Sequence, residues 1–190
     1  MDPVTATSAA VLYAAKKAID ALLGKKIPEW FSEISEKVRD EFSTKISEYH
    51  DVQSKYYSEI KTILTSNSPK KFEKIYYPLS ISSQRSLTNE NVNTITHCSI
   101  NNVFTHSNYI LIFGSAGSGK SCLIKHLFLG CIKENFSIPI LIELRNLNHI
   151  DCSIKNFIMK EILDYKIQNC EKDLECILSS GAFTFFFDGY

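Results

Sequence analysis

Gly114-Ser115-Ala116-Gly117-Ser118-Gly119-Lys120-Ser121 is the stretch on which the reading of this chain turns. It fits G-x-x-x-x-G-K-[ST], a phosphate-binding loop, and its flanks are those such a loop requires. Before it, Tyr109-Ile110-Leu111-Ile112-Phe113 is short, apolar and rich in β-formers, which predicts a buried strand. After it, apolar residues at 123, 124, 127 and 128 have helical spacing. In a strand, turn and helix of this kind, glycines let successive backbone N–H groups converge on a phosphate, and the helix N-terminus adds partial positive charge. The backbone from Gly114 through Cys122 is therefore the candidate nucleotide cradle. Lys120 is the expected point charge on the β- and γ-phosphates, and the Ser121 hydroxyl the expected ligand to Mg²⁺.

Composition sets the frame around that loop. Twenty-one basic and twenty-one acidic residues leave the 190-residue chain formally neutral, so there is no strong nucleic-acid signal and none for an acidic membrane surface. The six cysteines form no C-x-x-C pair and share no ligand spacing with the five histidines, which predicts reduced thiols, not a disulfide set or zinc site. No run approaches the length of an apolar membrane span, and the N-terminus lacks a basic leader region; the expected compartment is the cytosol.

Three regions follow from the patterning: a helical N-terminal domain over 1–66, a Ser/Asn-rich connector over 67–108, and nucleotide-binding chemistry over 109–190. Residues 5–24 are Ala-rich with helical spacing and stop at Gly24. From Trp30 to Leu64, apolar residues recur in steps of three and four without Gly or Pro, predicting one long amphipathic helix or two in line. Its stripe needs a partner surface, either a small bundle with the first helix or a second copy or longer relative of the chain. The spacing is not strictly heptad, which favours the bundle. In the connector, residues 75–81 read as a short extended piece that Pro78 keeps from the centre of a sheet. Beyond the loop, Ile138-Pro139-Ile140-Leu141-Ile142-Glu143-Leu144 reads as a second strand. Ser153 reads as the cap of a helix reaching about Tyr165, and 171–178 as a further helix. The alternation of strand and helix predicts an α/β fold with a parallel sheet.

The last run, Phe183-Thr184-Phe185-Phe186-Phe187-Asp188, is a strand ending in a carboxylate. At the carboxyl edge of a parallel sheet, where open α/β folds bind ligands, Asp188 is the expected second holder of Mg²⁺, with Ser121. Glu143 and Arg145 read as solvated residues at a strand end, and His126 as packing or surface.

Three stretches together, YILIFGSAGSGKS at 109–121, IPILIELRNL at 138–147 and GAFTFFFDGY at 181–190, resemble the NACHT family of signal-transducing P-loop NTPases. The resemblance extends over about residues 91–190. Residues 1–66 are similar, more loosely, to helical segments that precede NACHT modules in bacterial proteins, some of them acting in antiphage defence. It implies a helical N-terminal segment followed by a partial P-loop NTPase sheet of the AAA-like kind, with ATP/ADP and Mg²⁺ as cofactors. It also implies a nucleotide-controlled switch: a closed ADP state exchanges for ATP, and the modules then oligomerise. The acidic pair that the family carries after its Asp-Gly would follow Tyr190, so no catalytic residue is assigned. The family's next strand lies between the phosphate-loop strand and the Asp188 strand. Without it, two apolar sheet edges are expected, together with marginal stability and negligible hydrolysis, as in a fragment of a longer protein. A competing expectation is a non-catalytic interaction protein whose long helix modulates a longer relative. A third is another P-loop enzyme, such as a kinase.

Overall fold

The structure, a computed structural model, describes residues 36–60, 69–83, 94–105, 107–149, 153–158, 178–179 and 181–189, with Lys17, Ala21 and Glu175 singly. The expected helix over 5–24 therefore lies outside the described residues, apart from helical backbone at Lys17 and Ala21. Most of the expected helices over 153–165 and 171–178 lies outside them too. Helices and small sheets are mixed. In chain order the helices are α1 (Glu36–Ser58), α2 (Phe72–Ile75), α3 (Ile100–Phe104), α4 (Lys120–Lys133) and α5 (Ile154–Phe157). The strands are β1 (Glu59–Ile60), β2 (Lys70–Lys71), β3 (Ile81–Ser82), β4 (Thr94–Ile95), β5 (Ile138–Glu143) and β6 (Phe183–Asp188). By contact they fall into two compact units, residues 1–56 with 137–190, and residues 57–136. This grouping cuts across the regions read from the sequence, since the long helix shares a unit with β5 and β6 while the phosphate loop belongs to the other.

In the first unit, β5 and β6 pair in parallel, with Ile138 opposite Phe183 and Glu143 opposite Asp188. The expected parallel arrangement of these two strands is thus present. Ile138, Ile140 and Ile142 are fully or almost fully buried, and Leu141 nearly so, hence an apolar run without alternation. On α1, Phe42, Ser43, Ile46, Ser47 and His50 form the buried face. Phe42 meets Phe183 edge to face at 6.1 Å. Ser47 satisfies its buried hydroxyl by donating to the Ser43 carbonyl one turn back, at 2.7 Å.

The same helix closes one edge of the sheet. The Ile138 N–H donates to the Ala182 carbonyl, so backbone groups of 138, 140 and 142 face β6 and those of 139, 141 and 143 face away. The Tyr49 hydroxyl accepts from the Leu141 N–H at 3.1 Å and donates to the Leu141 carbonyl at 3.4 Å. His50 Nε2 lies 3.0 Å from the Pro139 carbonyl, a bond that requires the Nε2–H tautomer. Burial pushes the Tyr49 phenol up to about 12, against the Leu141 hydrogen bond, which lowers it.

Burial pushes His50 down to about 4, outweighing the Pro139 hydrogen bond, which raises it. The folded value lies below the ordinary 6.5, so between these two values the unfolded chain binds a proton that the folded chain does not. Stability is therefore lost as pH falls from 6.5 towards 4, by up to roughly 3 kcal/mol. We expect urea midpoints to drop over that window and His50→Gln, which keeps a donor for Pro139, to flatten the drop. An identical pH slope in the variant contradicts this.

The predicted helix from Trp30 to Leu64 is shorter at its C-terminal end. α1 closes at Ser58 after Tyr56 and Tyr57, middling helix formers, and Glu59–Ile60 pairs antiparallel with Lys70–Lys71. Its stripe is also only partly covered: Val52 is 61% exposed and Tyr56 66%.

In the second unit, α4 buries Leu123, Leu127, Phe128 and Cys131. Phe128 packs edge-on against Tyr57 at 5.4 Å, and Lys125 lies over the same Tyr57 ring. Cys98, Cys122 and Cys131 are free thiols. Ser99 caps α3 with a full capping box through Asn102. Among the described residues no helix is long and apolar enough to cross a membrane.

One expectation is overturned. Residues 109–113, read as a buried strand, join no ladder, and Tyr109, Leu111 and Phe113 are 93%, 77% and 83% exposed. Their composition is that of a central strand. A central strand owes its burial to neighbours on both sides, and among the described residues none pairs with this one.

Candidate phosphate-binding loop

The loop begins where residues 109–113 end and closes at the first turn of α4. Gly117 and Gly119 have φ of +78° and +87°, the left-handed region that any side chain resists. Gly119 is the N-cap of α4 and brings no side chain to cap it. A Cβ there would lie 2.9 Å from Leu79 Cδ1, so position 119 is closed to larger residues by space as well as by φ. A Cβ on Gly114 would meet Ser118 Oγ at 2.7 Å, which keeps the turn tight; the Ser118 N–H closes it by donating to the Ser115 carbonyl at 3.2 Å.

Lys120 folds back over this turn. Its Nζ donates to the Gly114 and Ser115 carbonyls, at 2.8 Å each, with Ser118 Oγ at 3.5 Å. The ammonium is thus held at the loop rather than trailing into solvent. Ser115, Ala116, Gly117, Ser118, Ser121 and Cys122 are exposed, so the loop and the start of α4 open to solvent. A glycine-lined turn, a lysine over it and a helix start without a side-chain cap fit a phosphate group chemically.

The segment after α2 supports the loop from behind. Tyr76 stacks on His126 of α4, with rings 4.3 Å apart and nearly parallel, and the Leu79 carbonyl accepts from the Cys98 N–H at 3.3 Å. His126 and Gly119 are about 10 Å apart along the helix axis at 1.5 Å per residue. Tyr76 and Leu79 cover that span with three residues, so the chain between them runs nearly extended. Burial lowers the His126 pKa and raises that of Tyr76. The Tyr76 hydroxyl is buried without a hydrogen bond of good geometry, although the Leu79 carbonyl is near enough to oppose the effect of burial on its pKa. The expected extended piece at 75–81 is therefore mostly a brace along α4. The packing role expected of His126 holds. No pattern in the sequence pointed to Leu79.

Asp188 ends β6 opposite Glu143, in the first unit, while Ser121 belongs to the second. Glu143 receives two bonds from Arg145, at 3.0 and 2.6 Å; Glu143 and, less strongly, Asp188 raise the Arg145 pKa. Among the described residues no group of three or more histidine, cysteine or acidic side chains is placed to hold a metal. Comparison with known proteins gives no match to a family model, a curated protein or a solved structure.

Proposed function

We propose that this chain binds a nucleoside triphosphate through residues 114–122 and works as part of a NACHT-like, nucleotide-controlled switch. The observation that carries the reading is the Lys120 ammonium, held over a turn with two left-handed glycines at the uncapped start of α4. In this reading the backbone of Gly114 to Cys122 surrounds the β-phosphate, Lys120 leaves the loop carbonyls for phosphate oxygens, and Ser121 holds Mg²⁺. Bound Mg²⁺ offsets phosphate charge, and the difference between di- and triphosphate must bias two states by several kcal/mol for a switch to operate. For Asp188, whose strand belongs to the other unit, the magnesium role is proposed from the sequence alone. The reading implies a P-loop sheet, signalling in a defence pathway and a cytosolic setting.

The test is titration of the full chain with ATP and ADP, with and without Mg²⁺. Saturable, competitive binding supports the reading. A Mg²⁺ dependence that is unchanged in Asp188→Ala removes Asp188 from the site. A second reading, an interaction protein acting through the long helix, has the exposed Val52 and Tyr56 of α1 in its favour. It gains if no nucleotide binds.

A further inference from the structure

Among the described residues, the outer edge of β5 is met by side chains and by no strand. Sheet edges with unmet N–H and C=O groups recruit other strands, and proteins block them by proline, charge or cover. β5 uses two such devices on one edge. Pro139 removes an N–H from the row, and Tyr49 and His50 of α1 occupy the Pro139 carbonyl and both Leu141 groups. His50 is 7% exposed, so this is a packed contact rather than a surface one.

We infer that Tyr49 and His50 form a latch that keeps β5 from pairing with β5 of a second copy of this chain. The groups under the latch are self-complementary about a twofold axis. With Leu141 facing Leu141 of the second copy in an antiparallel pair, the two exchange N–H···O=C bonds. Each Glu143 N–H then reaches the facing Pro139 carbonyl, and Ile140 faces Ile142. Each acceptor or donor now held by the latch finds a partner, and no like charges meet, because Glu143 lies opposite proline. Ile138, Ile140, Leu141 and Ile142 are uncharged and apolar, three of them β-branched; Pro139 is the one residue of the run that opposes pairing, because its missing N–H leaves the facing Glu143 carbonyl without a ladder bond. The second copy is the favoured occupant because the row now covered by Tyr49 and His50 fits its own inversion. This inference does not depend on nucleotide binding.

The experiment uses the full chain. Tyr49→Phe keeps the ring and deletes only the hydroxyl, so it removes both Leu141 bonds while preserving the packing; Tyr49→Phe/His50→Leu opens the whole edge. Mass by sedimentation and amide exchange at Leu141 are read across a range of protein concentration. Relative to wild type, both variants are expected to shift towards doubled mass as concentration rises. Their Leu141 amide exchanges about tenfold or more faster when dilute and slows again as they associate. Wild-type Leu141 protection stays independent of concentration. Variants that keep the wild-type mass at all concentrations overturn the inference, and so does association in which Leu141 goes on exchanging freely. Should the double variant fail to fold, Tyr49→Phe alone decides.

Discussion

If residues 114–122 hold a triphosphate as proposed, Lys120→Ala is expected to lower affinity for ATP by about 100-fold or more, a loss of roughly 3 kcal/mol, and to leave the melting of the chain nearly unchanged. The two effects separate because of where the ammonium sits. Its bonds to the Gly114 and Ser115 carbonyls are solvent-exposed, so replacing them with water costs the fold little. A triphosphate held in the proposed site, in contrast, loses a charge-assisted partner. Lys120→Arg is expected to fall between wild type and alanine, because a planar, forked guanidinium does not fit a turn closed by Gly114 against Ser118. Calorimetric titration of the three proteins checks this. Equal affinity in wild type and Lys120→Ala removes the loop from any phosphate-binding role.

Phe42→Ala has the largest expected effect on stability, about 3–5 kcal/mol. Phe42 is fully buried on α1 and meets Phe183 at the start of β6, so truncation leaves a cavity where the helix covers the sheet. The serines on the same face are too small to close it. Phe42→Leu, which refills most of the volume, costs less. Urea denaturation followed by circular dichroism measures both. A loss below about 1 kcal/mol for Phe42→Ala contradicts the packing described for this unit.

Where the sequence could be read, the deciding interactions were local. The loop was legible because Gly117, Gly119 and Lys120 do their work within one turn, and φ and helix start are set by those residues themselves. β5 was legible because an unbroken apolar run without Gly suits a strand buried on both faces; β6 showed the same kind of run, although only Phe186 of it is buried and Phe187 is exposed. Residues 109–113 have the same kind of composition yet are not a strand in the structure, because pairing depends on what lies alongside and not on the run itself. Tyr49 lies on the amphipathic stripe read over residues 30–64, a pattern that names no backbone partner for its hydroxyl. Its actual partner, Leu141, is 92 residues away, and the contact depends on which residues of β5 turn their backbone outwards. The Leu79 contact with Gly119 was hidden for the same reason. Long-range register is not written in any local pattern.

The central claim is that residues 114–122 hold a nucleotide. The most direct measurement is calorimetric titration of the wild-type chain with ATP in the presence of Mg²⁺, followed by competition with ADP. The account predicts one saturable site, displaced by ADP and weakened when Mg²⁺ is removed. No saturable heat up to about 1 mM nucleotide, where binding free energy falls to about −4 kcal/mol, contradicts it.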